Sequence, residues 1–491
     1  MRKYIALLLI LGIYSFASHA QYVTPGTGVV WDMDDLVQNS GGVVTGTSGM
    51  FTVSGNITIA PQDTIRHTGD GQIWMGSSVL WTIQGVLEFD PPSELLISAQ
   101  DTLQHFMGFR FEDSDASFLN NCIIEFGGGI ELVNSDTRIE NCVIRKNDKS
   151  NSTGVIDLFH CNPQIINNDI YLNEGPAILS PANGECSPHI EGNWLWRNNT
   201  ANTNMPQINL GTSATGIDIQ ILGNTIEGFY DKAGGIAITT LAGGSISCMI
   251  DGNEIINNRY GITAYGFDIN STISNNIIAN NNIENMPMQG GSGINFWGGT
   301  SNTSMVYGNE IYGNLWGITN TGDAMPNIGQ VEPDTINPGG NSFYDNGNEG
   351  EIYALYNNTP NDIYAENNYW GSYDMDSVAM VIFDYYDDES LGIVDYMPIE
   401  SPLTGVNNQS VPSGLLNIFP NPATRTIRFD LPAKQKRQSF AFRIYNDSGQ
   451  MILEERIGEN GSINISALQE GMYYVHLSND EVTFTGKFVK K

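Results

Sequence analysis

GNEIINNRYGI (252–262) and its near copy GNEIYGNLWGI (308–318) decide the fold. After its first glycine, each carries an asparagine, a variable residue and a large apolar residue. That phrase recurs ten times, starting at Asn121, Asn141, Asn168, Asn193, Asn224, Asn253, Asn276, Asn309, Asn341 and Asn368. Its apolar members are Ile123, Val143, Ile170, Leu195, Ile226, Ile255, Ile278, Ile311, Phe343 and Trp370. Successive starts lie 20 to 33 residues apart, the period of a solenoid coil. Asn173, Asn198, Asn258, Asn281, Asn314 and Asn346 each follow an anchor by five residues. No 3.6-residue spacing links the isoleucines, so a helical bundle is excluded. Strand alternation sends the isoleucine to one face and the variable residue to the other. Asp169, Thr225, Glu254, Glu310 and Ser342 occupy that variable position and suit solvent. Asparagine tolerates a left-handed corner, and its amide can bond to the amide of the next coil. Coils stacked ~4.8 Å apart would then form an Asn ladder beside an Ile ladder.

These repeats resemble those of the pectate-lyase-like superfamily over roughly residues 51–400, and the resemblance implies architecture, not chemistry. The expected fold is all-β: a right-handed parallel β-helix solenoid followed by a small antiparallel β-sandwich. Residues 1–20 read as a signal peptide, with Arg2 and Lys3 before an apolar run and a cut between Ala20 and Gln21. That run is too short for a membrane span, and no later run is longer. Residues 21–118 are the expected N-terminal cap and first coils, with Trp31 to Asp35 covering the open end. Residues 119–400 are the β-helix proper. Met375, Val378, Val381, Ile382 and Tyr385 share one helical face behind Asp374, which predicts a helical C-terminal cap. Residues 401–414, rich in Ser, Pro, Gly and Asn, read as a linker.

Residues 415–491 change character. Their strands alternate and are broken by Gly and Asn-Asp turns. Pro420, Asn421, Pro422 and Ala423, then Gly449, then Gly471 with Tyr473, then Gly486 and Lys487 resemble the C-terminal sorting domain of type IX secretion cargo in Bacteroidetes. The resemblance implies recognition by an outer-membrane translocon, then release or display on the cell surface.

Charge divides at the same place. Residues 21–405 carry 46 acidic and 9 basic side chains, whereas 406–491 carry 8 and 10. A solenoid this acidic argues against nucleic acid and anionic membrane as partners. The five cysteines are few for an exported chain, although Cys122 and Cys142 fall in adjacent coils within disulfide reach.

Three function classes remain open. A polysaccharide lyase needs a base and a positive group, and a glycoside hydrolase needs two carboxylates. No Lys, Arg or His lies between Tyr260 and Thr424, so cationic chemistry is confined to the first half. The catalytic candidates are Glu131 and Asp157, stacked outward on adjacent coils, with His160 nearby. Arg145 is a further candidate, sharing a repeat position with Arg197. A glycan binder would use Tyr265 and Trp297, each three residues after the Ile of Gly-Ile, as an outward platform. Gly298-Gly299 would favour a bulge there. A structural stalk needs neither. No resident cofactor is expected, although Asp374, Asp376, Asp387 and Asp388 could hold calcium. The sequence therefore reads as exported cargo that binds extracellular polysaccharide or cell-surface glycan, with the enzyme and the stalk as alternatives.

Overall fold

A computed structural model describes residues 21–148, 153–400, 413–416, 418–429, 440–446, 451–457, 462–469, 471–478 and 483–491. The signal-peptide reading, most of the linker and Gly449 fall outside these residues. The chain divides into two compact units, Met1–Ser401 and Pro402–Lys491.

The first unit is a parallel β-helix whose coils lay down three sheets of fourteen, eleven and thirteen strands. One coil shows the plan. Ile236–Thr239 joins the first sheet, Ile246–Asp251 the second and Glu254–Ile256 the third, before Ile262–Gly266 returns to the first. Its neighbours pair with it in parallel register, as Ile255 does with Ile226 and Ile278. Inward residues are fully buried along the whole stack, Ile170, Leu195, Ile226 and Ile255 among them. A buried aliphatic side chain of this size contributes about 2–3 kcal/mol, so the stack is the main source of stability.

Both corners flanking the third sheet carry a buried amide ladder. At the first corner, Asn253 Oδ1 accepts from the Asn224 backbone and side-chain amides, both at 2.9 Å. Asn253 Nδ2 in turn donates to the Ile221 carbonyl at 2.8 Å. The pattern runs from Asn168 to Asn368. The left-handed corner falls one residue earlier than expected, at Asn167, Gly252, Asn275 and Gly308, so the ladder asparagine itself is free of that strain.

The first two coils correct the reading by one residue. Val143 pairs with Asp169 and Ile144 with Ile170, so the buried members are Ile124 and Ile144. Cys122 and Cys142 therefore fill the ladder slot, and Asn121 and Asn141 are the left-handed corners. All five cysteines are free and buried. Cys142 still feeds the ladder, its amide donating to Asn168 Oδ1 at 2.9 Å.

Each end of the solenoid carries a short helix. Helix α1, Met33–Asn39, is capped by Asp32 and buries Met33 and Leu36. Helix α2, Met375–Ala379, is capped by Asp374 as expected but is shorter than the apolar pattern implied. Ile382–Phe383 is a strand, pairing with Leu355 and Tyr356 as the last rung of the first sheet. The open edge of that sheet needs a partner, and this demand outweighs the helical periodicity.

The second unit packs a five-stranded sheet against a three-stranded one over a core that includes Ile427, Phe442, Val475 and Phe488. One strand pair departs from the antiparallel expectation, since Ser413–Leu415 runs parallel to Thr483–Lys490.

Candidate functional site

The outward face of the first sheet holds a concavity of about 520 Å³. Its floor follows from strand register. Thr263, Asn295, Thr319 and Tyr356 stack on four successive coils, and two residues further on Tyr265, Trp297, Thr321 and Asn358 do the same. The first row is polar and internally bonded. Asn295 Nδ2 donates to Thr263 Oγ1 at 2.8 Å, and Thr319 Oγ1 donates to Asn295 Oδ1 at 2.9 Å. Trp316 closes one side, its ring 4.7 Å from Tyr353 and 5.1 Å from Tyr356.

The wall is the segment 282–291, an insertion between the third and first sheets. Trp316 Nε1 donates to the Pro287 carbonyl at 3.0 Å, and an Arg259 N–H donates to the Gln289 carbonyl at 2.8 Å. The Glu284 carboxylate accepts from both Lys232 and Arg259, while Arg259 also donates to Asn204. Burial alone would raise the Glu284 carboxyl, but these two cations outweigh it and hold it below the usual carboxylate range. Arg259 and Glu284 are both nearly sealed from water, with side chains 9% and 3% exposed. The wall is thus anchored by a buried Arg259–Glu284 pair joined by a partly exposed Lys232, three residues from three separate coils. Burial pushes the neighbouring Tyr260 phenol up to about 12, so it stays protonated and available as a donor.

Tyr265 and Trp297 are in register as the sequence spacing implied, and the strand runs regularly to Gly298 without the bulge. A side chain at Gly298 would strike the Gly266 carbonyl, so glycine is required for this close stacking. The rings do not form an open platform. They lie face to face, centroids 4.2 Å apart and planes within 9°, so each covers one face of the other. Tyr265 lines the concavity, and Trp297 stacks on it from the next coil.

The acidic candidates also fall in register, with Glu131 beside Asp157 in a smaller depression of about 310 Å³. Glu131 is committed to Arg110, whose Nη1 donates to it at 2.6 Å. His160 turns away, its ring on Phe159 at 4.2 Å and its Nδ1 3.9 Å from Glu185. Arg145 lies on another sheet, donating to Glu125 at 2.8 Å and to the Tyr171 hydroxyl at 2.9 Å. Its match with Arg197 fails, because Arg145 aligns with Tyr171 and then Trp196. The structure therefore brings Glu131 and Asp157 together and leaves His160 and Arg145 apart from them. Among the described residues, no group of three or more His, Cys, Asp or Glu is placed to hold a metal. Asp374 caps α2, and Asp387 and Asp388 accept from the Asp384 and Ser390 amides.

Sequence reasoning missed Arg259, Glu284, Trp316 and the Thr263–Asn295–Thr319 row. The row was findable, since each member follows a Gly-Ile or is the residue after an inward isoleucine. The ion cluster was not, because its members are 25 to 52 residues apart in loops of unequal length.

In the second unit the sorting residues make structural contacts. Asn421 Oδ1 accepts from the Val489 amide at 2.9 Å, and Ala423 is fully buried beside Lys490. Tyr473 stacks on Phe488 and donates to the Gln469 carbonyl at 3.0 Å. Gly486 lies so close to the Leu416 carbonyl that a Cβ would approach it to 2.7 Å. Lys487 is exposed at the same end of the chain.

Residues 417–491 match the family of secretion system C-terminal sorting domains. The chain is therefore cargo of type IX secretion, destined for secretion or the cell surface. No curated protein matches it. Among the described residues no helix is long and apolar enough to cross a membrane.

Proposed function

We propose that the solenoid binds extracellular glycan in the concavity of its first sheet. The observation that carries this reading is the pairing of a polar floor, Thr263, Asn295 and Thr319, with the aromatic side formed by Trp316 and Tyr356. Hydroxyl and amide groups suit sugar hydroxyls, and ring faces suit the C–H face of a pyranose. The wall is pinned by ions in advance, which lowers the ordering cost of binding. Tyr265 lines the site, and Trp297 stacks on Tyr265 from the next coil. The enzyme reading rests on the Glu131–Asp157 rung. It is second because Glu131 is already held by Arg110, which it shares with Glu112. The resemblance of the repeats to those of the pectate-lyase-like superfamily supports a polysaccharide ligand only by analogy of fold.

The test is retention of the secreted chain on insoluble neutral and acidic polysaccharides, with and without calcium, alongside an assay for new reducing ends. Retention without new ends supports a binder. New ends that vanish in Glu131→Ala support the enzyme, and neither signal supports a stalk.

A further inference from the structure

A second site lies on the third sheet, where one coil breaks the amide ladder. Six coils place asparagine five residues after the anchor, but the coil of Asn224 places Phe229 there. The ladder survives because Gln207 reaches in from the first sheet. Its Oε1 accepts from Asn198 at 3.1 Å and its Nε2 donates to Asn258 at 3.2 Å. Phe229 is thereby released to the surface, 55% exposed. Its ring lies 4.1 Å from the Arg197 guanidinium, whose other face lies 4.2 Å from Trp196. Trp194 stacks on Trp196 at 5.3 Å and is 38% exposed.

Arg197 is unlike the other described arginines of the solenoid. Arg66, Arg110, Arg138, Arg145 and Arg259 each pair with a glutamate. Arg197 forms no ion pair among the described residues, and its Nε is buried without a partner. A guanidinium held between two rings has both faces covered and only its N–H edge free. That edge fits a planar or tetrahedral oxyanion, while an adjacent indole fits a sugar ring. Asp169 and Glu227 stand in register beside Trp194 and Trp196 and repel densely charged polyanions. A saccharide with well-spaced charges suits the cluster best.

We propose that Arg197, with Trp194, Trp196 and Phe229, forms an independent subsite for a saccharide bearing a carboxylate or sulfate. The test titrates the full secreted chain with a uronate tetrasaccharide, a sulfated tetrasaccharide and a neutral one. One charged probe should bind, and Arg197→Gln should weaken it about tenfold or more at unchanged thermal stability. Arg197→Lys, which keeps the charge but loses the fork, should fall between. A neutral polysaccharide held by the first-sheet concavity should not displace the charged probe. Failure of wild type to bind either charged probe, or equal binding by Arg197→Gln, would overturn the proposal. Neither result bears on the first-sheet site, whose own test is Trp316→Ala combined with Tyr356→Ala.

Discussion

Two adjacent coils, those of Asn224 and Asn253, differ in how far they obey the repeat. The Asn253 coil has both ladder residues, Asn253 and Asn258, and each is bonded to the coils above and below. The Asn224 coil keeps only its first, and a glutamine from another sheet stands in for the second. The obedient coil shows outward Glu254 and Ile256, whereas the disobedient one shows an exposed phenylalanine over an unpaired arginine. A regular coil is explained by stacking alone. A coil that gives up a ladder residue, and is repaired elsewhere, needs a reason on its surface. The insertion 282–291 makes the same point on the first sheet, where an added segment is tied down by ions and encloses a concavity.

The comparison can be broken most severely inside the obedient region. Asn276→Ala removes the acceptor of the Asn253 backbone and side-chain amides and strands the Ile250 carbonyl. With each buried unpaired group costing about 1–3 kcal/mol, the variant should lose roughly 3–5 kcal/mol, read from its denaturant midpoint. Gln207→Ala should cost less, about 1–3 kcal/mol, because it frees the Asn198 and Asn258 side chains and the Glu227 carbonyl but strands no backbone N–H. A Gln207→Ala variant as damaged as Asn276→Ala would mean that the substitute ladder is equal to the original.

Next comes the wall. Glu284→Gln leaves Arg259 buried without its counter-charge, at a cost of about 3 kcal/mol. Limited proteolysis should then cut within 282–291 sooner than in the wild type. An unchanged digestion pattern would show that the ion cluster does not hold the segment.

The smallest effect concerns protons. The Asp148 carboxylate, hydrogen-bonded to Glu174, pushes the Glu174 carboxyl up to about 7. Between its unfolded value of 4.5 and about 7 the folded state holds the extra proton. Stability from this pair is therefore full below 4.5 and lost as pH rises through 7. Melting temperature should fall slightly from pH 5 to pH 8 in the wild type, and less in Glu174→Gln. An identical slope in both would remove the pair as a cause.

The repeat made the solenoid legible, and from Asn168 onward its register is the one the spacing implies. The first coils misled by one residue for a clear reason. Ile123-Ile124 and Val143-Ile144 offer an apolar residue at either parity, and cysteine replaces the amide that would have fixed it. At the first sheet, in-register residues such as Tyr265 and Trp297 were visible, but ring orientation was not. Arg259, Glu284 and Lys232 meet only because loops of unequal length converge, which no period records.

The central claim is that glycan sits between the polar row and Trp316. The direct test is the equilibrium affinity of the secreted chain for a soluble oligosaccharide of whichever polysaccharide retains it, compared with Trp316→Ala combined with Tyr356→Ala. The account predicts a loss of about tenfold or more with the fold intact, as expected for removal of two aromatic contacts. Equal affinity in the double variant, or no retention of the wild type by any polysaccharide, would contradict it.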